Sequence, residues 1–265
     1  MAAFAVLVLP AQIANLSQSE SRELTTGRHS AAAVAASVST LWADISPAGS
    51  LSLPDSRLQQ DLALAQSTEK AADDALAHVQ LAESFIAQID GFPFQLHPNQ
   101  VGTSDRVAAR HLEKALAGAI KLSHAATLQL TIARHVNQDA QSIASPLNSS
   151  LTQHDWNTAS RTAAAIHLDL KAQESVASDT EALLDPLWTN WMDALIGYVD
   201  AAQQYSLTSA AGQTVTAQQL ARAMAAANDR AGAAQLAAQS AAPAWQQKTI
   251  QPLAATLRSE LAAGS

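Results

Sequence analysis

Four ionisable residues, Glu83, His111, His167 and Glu174, fall where a helical reading of the chain expects apolar side chains or the edge of an apolar stripe. Asp61 shares the apolar side of Glu83's helix, and His167, Glu174 and Glu181 repeat by sevens. Carboxylates and imidazoles brought together inside a bundle are the donor set of a transition-metal centre. This gives an alternative reading of the chain as a metal- or haem-binding bundle, an oxidoreductase or a metal storage or uptake protein, built on Glu83, His111, His167 and Glu174. Its weakness is the missing di-metal signature, a Glu-x-x-His on each of two helices: Ile86 stands three residues after Glu83, and Leu116 three after Glu113. The leading reading expects no cofactor. It takes Glu83 and His111 as polar residues inside the bundle that fix helix register, and the row through His167 as a solvated shoulder.

The remaining histidines carry less chemistry. His124 and His135 share a face, but eleven residues of helix separate them by roughly 16 Å, so one ion cannot bridge them. Both are expected at the surface. Asp74 with His78 and His135 with Asp139 have the i,i+4 spacing of intrahelical pairs.

Aromatic residues make up only 4% of the chain, yet DPLWTNWMDALIGYVDAAQQY at 185–205 holds two of the five Trp and both Tyr. On a helix, Leu187, Trp188, Trp191, Leu195, Tyr198, Val199, Ala202 and Tyr205 fall on one side, where large rings would fill space against alanine-rich neighbours. Core packing is the leading reading. The alternative makes part of the row a wall for a ligand. A long connection, DGFPFQLHPNQVGTSD at 90–105, carries more aromatic side chains than a bundle loop needs. A ligand site is therefore expected to use Phe92, Phe94, His97, Trp188 and Trp191, taking a small apolar ligand or a protein partner.

Other chemistries find no motif. With no Cys there is neither a disulfide nor a thiolate ligand or nucleophile. There is no phosphate-cradling glycine loop, no Gly-x-Ser-x-Gly elbow and no His-Glu-x-x-His. The net charge of −8 and the lack of a basic stripe argue against nucleic acid. The apolar run from Ala2 to Leu9 is too short to span a bilayer and lacks a basic flank. It reads as the remnant of an export signal in a flexible segment over 1–16, which favours an extracytoplasmic or secreted protein over a cytoplasmic one.

The elements that would position these residues are helices throughout. Nearly a quarter of the residues are Ala, and Gly and Pro number nine each. Leu24, Ala31, Val34, Val38, Leu41 and Ile45 mark the buried stripe of a first helix. Leu58, Leu62, Ala65, Ala72, Leu76, Val79 and Ile86 mark that of a second, from Asp55 to Asp90. A third runs from Thr103 or Ser104 to Ser145, ended by Pro146, with Val107 among its buried residues. A fourth starts at a Thr152 capping box, and Leu184 closes its stripe. A fifth restarts at Pro186. After a polar loop at 206–214 comes an alanine-rich stretch that Pro243 divides. The spacing predicts an all-α, elongated bundle of five or six long antiparallel helices with heptad-like packing and kinks near Pro186 and Pro243. It forms one domain over 17–262, with a subdivision near 185 as the alternative.

The function expected is that of a non-catalytic helical-bundle protein, an interaction, ligand-sensing or structural module. The metal- or haem-binding bundle is the alternative, and a membrane-active helical protein a third reading.

Overall fold

The computed structural model describes residues 2–45, 54–92, 103–179 and 186–265. Phe94, His97, Glu181 and Leu184 lie outside these residues. Among the described residues there is no strand, and the fold is an all-α helical bundle. The helices are α1 (Ala2–Asp44), α2 (Asp55–Asp90), α3 (Thr103–Ser142), α4 (Asn148–Thr152), α5 (Trp156–Asp179), α6 (Pro186–Ala210) and α7 (Thr214–Gly264), and a π-helical turn, Ile143–Leu147, joins α3 to α4. The chain forms two compact units, one of residues 1–43, 63–124 and 251–265, the other of residues 44–62 and 125–250.

In the first unit the buried residues of α1 include Leu24, Gly27, Ala31, Val34, Val38 and Leu41, spaced by threes and fours as predicted, together with Ile13, Glu20 and Trp42. Gly27 occupies a seam position because there is no room for a side chain. A Cβ there would lie 2.8 Å from Cγ2 of Val79 on α2, so the backbone of α1 presses directly on Val79. On α2 the predicted stripe needs correcting. Its buried seam in this unit is Ala65, Thr68, Ala72, Ala75, Val79, Ala82 and Ile86, with Leu76 on the half-buried shoulder; in the part of the helix that belongs to the second unit, Leu58 and Asp61 are buried and Leu62 is half-buried. Asp61 thus takes the place of Leu62 and Ala75 that of Leu76, while Thr68 adds a polar position: its hydroxyl donates to the Leu64 carbonyl at 2.7 Å, and Asp61 lies 3.3 Å from Nε of Arg57. On α3, Val107 is 51% exposed because Ala108 and Ala109 take the inner face. The end of α7 packs here as well. A Cβ on Gly264 would lie 2.9 Å from Cγ of Leu112, and Nε of Arg28 donates to the Gly264 carbonyl at 2.9 Å.

In the second unit Pro146 does not end the helix. Proline lacks the N–H that would continue the ladder, and its ring crowds the preceding turn. The backbone responds by widening: the Asn148 N–H reaches the Ile143 carbonyl five residues back. Helix α4 follows directly and stops at a turn where His154 has φ of 58°. The cap of α5 is Asp155 rather than Thr152. Oδ1 of Asp155 accepts from the Thr158 N–H at 3.1 Å, whereas the Thr152 hydroxyl donates backwards to Asn148. The polar stretch at 206–214 is mostly helix, with Ser206 fully buried and its hydroxyl donating to Ala202. Only residues 211–213 turn, around Gly212 at φ +72°. There the Gln213 and Gly212 N–H groups bond back to Thr208 and Ser209 in a Schellman closure. Pro243 does not divide the last helix, which runs unbroken for 51 residues.

The core reading of the aromatic row is correct. Trp188, Trp191, Tyr198, Val199 and Ala202 are buried, with Met192 and Ile196 beside them. Trp156 and Tyr205 meet edge to face, with ring centroids 5.5 Å apart. Rings of this size each bury roughly 150–250 Å² and supply the bulk that the alanines of α5 and α7 lack.

Candidate functional site

The second unit holds an open groove of about 580 Å³ along α3, the π-helical turn, α6 and α7. One wall is apolar, made by Ile143, Trp191 and Leu195; the rest is set by the carboxamides Asn137, Gln141, Asn228 and Gln235. None of its lining residues is ionisable. Helical spacing explains the cluster. Asn137 and Gln141 are four apart on α3, Asn228 and Gln235 seven apart on α7, and each pair therefore shares a face. The widened turn places Ile143 and Ala144 at the rim. Gly232 lies between the two α7 carboxamides, and a Cβ there would meet nothing within 4 Å. The arrangement offers hydrogen bonds to an uncharged partner beside an apolar surface. It supplies no acid, base or nucleophile.

A smaller groove of about 460 Å³ in the first unit lies between α2 and α3 and is charged throughout, with Glu83, Asp90, Arg106, Arg110 and Glu113 around Ile86 and Ala87. Arg106 is bonded to Asp90. Burial, then the neighbouring Glu113, push the Glu83 carboxyl above its ordinary range, and Arg110 opposes them.

Histidines form a second pattern. Among the described residues, five histidines set Nδ1 against a carboxylate of a different helix: His78 to Glu23 at 2.6 Å, His111 to Glu260 at 2.6 Å, His124 to Glu69 at 3.1 Å, His135 to Asp169 at 3.1 Å and His167 to Asp200 at 2.6 Å. The first three lie in the first unit and the last two in the second. The intrahelical pairing of His78 with Asp74 and of His135 with Asp139 is thereby replaced by pairing between helices. Two carboxyl pairs accompany them. Asp139 of α3, only 7% exposed, is hydrogen-bonded to Asp169 of α5. Glu174 of α5 is hydrogen-bonded to Asp193 of α6 and to Lys171.

The residues singled out from the sequence are thus distributed as follows. Trp191 lines the neutral groove, whereas Trp188, 1% exposed, lies in the core and not among the groove's walls. Phe92 follows the end of α2, its N–H bonded to the Ile89 carbonyl. Glu83 and His111 belong to the first unit but have different neighbours, Arg110 with Glu113 for one and Glu260 for the other. His167 and Glu174 both face α6, through Asp200 and Asp193. Among the described residues no group of three or more His, Asp or Glu is placed to hold a metal ion. No helix among them is long and apolar enough to cross a membrane. The four carboxamides escaped sequence reasoning because no motif links them; only their spacing on α3 and α7 marks them.

Compared with known proteins, the chain matches no family model, no curated protein and no solved structure.

Proposed function

We propose that the protein is a non-catalytic helical-bundle module that binds a small uncharged ligand in the groove of the second unit. The observation that carries this reading is the composition of the groove: four carboxamides and the edge of Trp191, with no ionisable residue among its walls. Carboxamides both donate and accept hydrogen bonds, so they fit hydroxyl or amide groups without requiring a charge. The apolar wall of Ile143, Trp191 and Leu195 suits a ligand with one apolar face. A volume of about 580 Å³ lies within the range of small-molecule sites.

The reading is tested by occlusion. Gly232 faces open space, so Gly232→Phe is expected to fill the groove while leaving the core intact. A library of neutral hydroxyl- and amide-bearing small molecules is screened by NMR on the wild-type chain. Compounds that bind are expected to lose binding at least tenfold in the variant. Binding that is unchanged by Gly232→Phe, or confined to charged compounds, contradicts the proposal.

A further inference from the structure

Beyond Trp156, whose ring meets Tyr205 of α6, helix α5 buries few large apolar side chains. Its buried positions are Ala159, Ala163, Ile166, Leu170, Gln173 and Ala177, of which only Ile166 and Leu170 are large apolar residues. Its outer face leaves Leu168 70% exposed. Titratable side chains join it to both neighbouring helices. Toward α3, Oδ2 of Asp169 lies 3.1 Å from Nδ1 of His135, and the Asp169 carboxyl is bonded to that of Asp139. Toward α6, Nδ1 of His167 lies 2.6 Å from Oδ1 of Asp200, and Glu174 is bonded to Asp193. An ionised carboxylate only accepts hydrogen bonds, so each carboxyl–carboxyl bond requires one shared proton. Each imidazole contact becomes a charge-assisted bond when the ring is protonated.

We propose that α5 is a proton-operated clamp, held on α3 and α6 when the two carboxyl pairs each share a proton, and loosened when these protons leave. After deprotonation Asp139 faces Asp169, and Asp193 faces Glu174, as like charges. Lys171, on α5 itself and 2.6 Å from Glu174, offsets only the second repulsion. The side chains of His135 and Asp169 are 41% and 38% exposed, so solvent protons reach the contact directly. Two further features set the direction. Burial, reinforced by Asp169, pushes Asp139 up to about 7, and its Oδ2 is buried with no hydrogen-bond partner. Burial and the bond to Glu174 also raise Asp193, which makes Asp193 the proton carrier of its pair.

The sign is that of acids whose pKa rises on folding. Their contribution is complete below the ordinary aspartate value of 3.8 and is lost as pH rises through about 7 for Asp139. The clamp therefore closes in mild acid and opens on the alkaline side of neutrality.

Hydrogen exchange of the full chain at pH 5.5 and 8.5, corrected for intrinsic exchange, tests this. Peptides of α5 are expected to lose protection on the order of tenfold relative to peptides of α2 at the higher pH. The double variant Asp139→Asn with Asp193→Asn, which cannot develop the repulsion, is expected to lose much less. Equal protection of α5 at both pH values in the wild type, or an undiminished loss in the variant, overturns the proposal. Should the variant fold poorly, a carboxyl-carbon NMR titration of the wild type decides. A midpoint near 7 for Asp139 supports the clamp, and one near 4 overturns it.

Discussion

Gly27 of α1 and Val79 of α2 touch backbone to side chain: a Cβ on the glycine would lie 2.8 Å from Cγ2 of the valine. Valine is stiff at χ1 in a helix and cannot swing aside. Gly27→Ala is therefore expected to destabilise the protein by roughly 1–3 kcal/mol in urea denaturation despite alanine's better helix propensity. Adding Val79→Ala should recover part of that loss. Independent, additive effects of the two substitutions would show that the seam is looser than described.

Tyr198 fastens α6 to the segment that follows the π-helical turn, its hydroxyl donating to Oδ1 of Asn148 at 2.8 Å. The contact is part-buried, so Tyr198→Phe is expected to cost about 0.5–1.5 kcal/mol, with Asn148→Ala adding little further in the double variant. Equilibrium unfolding of the four species measures the coupling.

Stability should be greatest in mild acid. On the alkaline side, the raised Asp139 carboxyl loses its contribution as pH rises through about 7, and Asp193, also raised, loses its own as pH rises above the ordinary aspartate value. On the acid side the sign reverses. The His111 bond holds Glu260 below its ordinary value, and the Lys171 bond does the same for Glu174. Their contributions are present above about 4.5 and disappear as pH falls through the lowered folded values. The urea midpoint is expected to rise from pH 8 toward pH 5 and to fall again below about 4.5. A midpoint that climbs steadily from pH 5 to pH 8 would contradict this assignment.

Gly232 lies in the interior of α7 with open space where a Cβ would stand. Gly232→Ala is expected to stabilise the protein by about 0.5–1 kcal/mol through helix propensity alone. Thermal unfolding checks it: a lower melting temperature would mean that the glycine is needed for close packing.

The helices were legible because burial leaves a period. Leu24, Ala31, Val34, Val38 and Leu41 are spaced as one helical stripe, and all are buried. The same rule erred on α2, where Leu62 and Leu76 outrank Asp61 and Ala75 in hydropathy yet sit one position off the seam. A neighbour as close as Gly27 favours small side chains there over leucine, and a single chain carries no sign of its neighbours. Pro146 and Pro243 misled for a related reason. Proline disfavours the interior of an isolated helix, but packing on both sides of Pro146 holds a widened turn in place. The histidine contacts were hidden because His78 finds Glu23 from 55 residues away, and His111 finds Glu260 from 149. Spacing along one helix exposed only the i,i+4 alternatives. Trp191 stood out in the sequence through its aromatic row, while Asn137, Gln141, Asn228 and Gln235 join it along the groove only once α3 and α7 are folded.

The most direct test of the functional account follows the indole N–H of Trp191 and the side-chain amides of Asn137, Gln141, Asn228 and Gln235 by 1H–15N NMR. Neutral hydroxyl- and amide-bearing compounds are titrated into the full chain. The account predicts that these resonances shift together with one binding curve and that the curve vanishes in Gly232→Phe. Saturable binding that leaves all five unmoved, or that moves only the charged residues around Glu83 and Arg110, would contradict it.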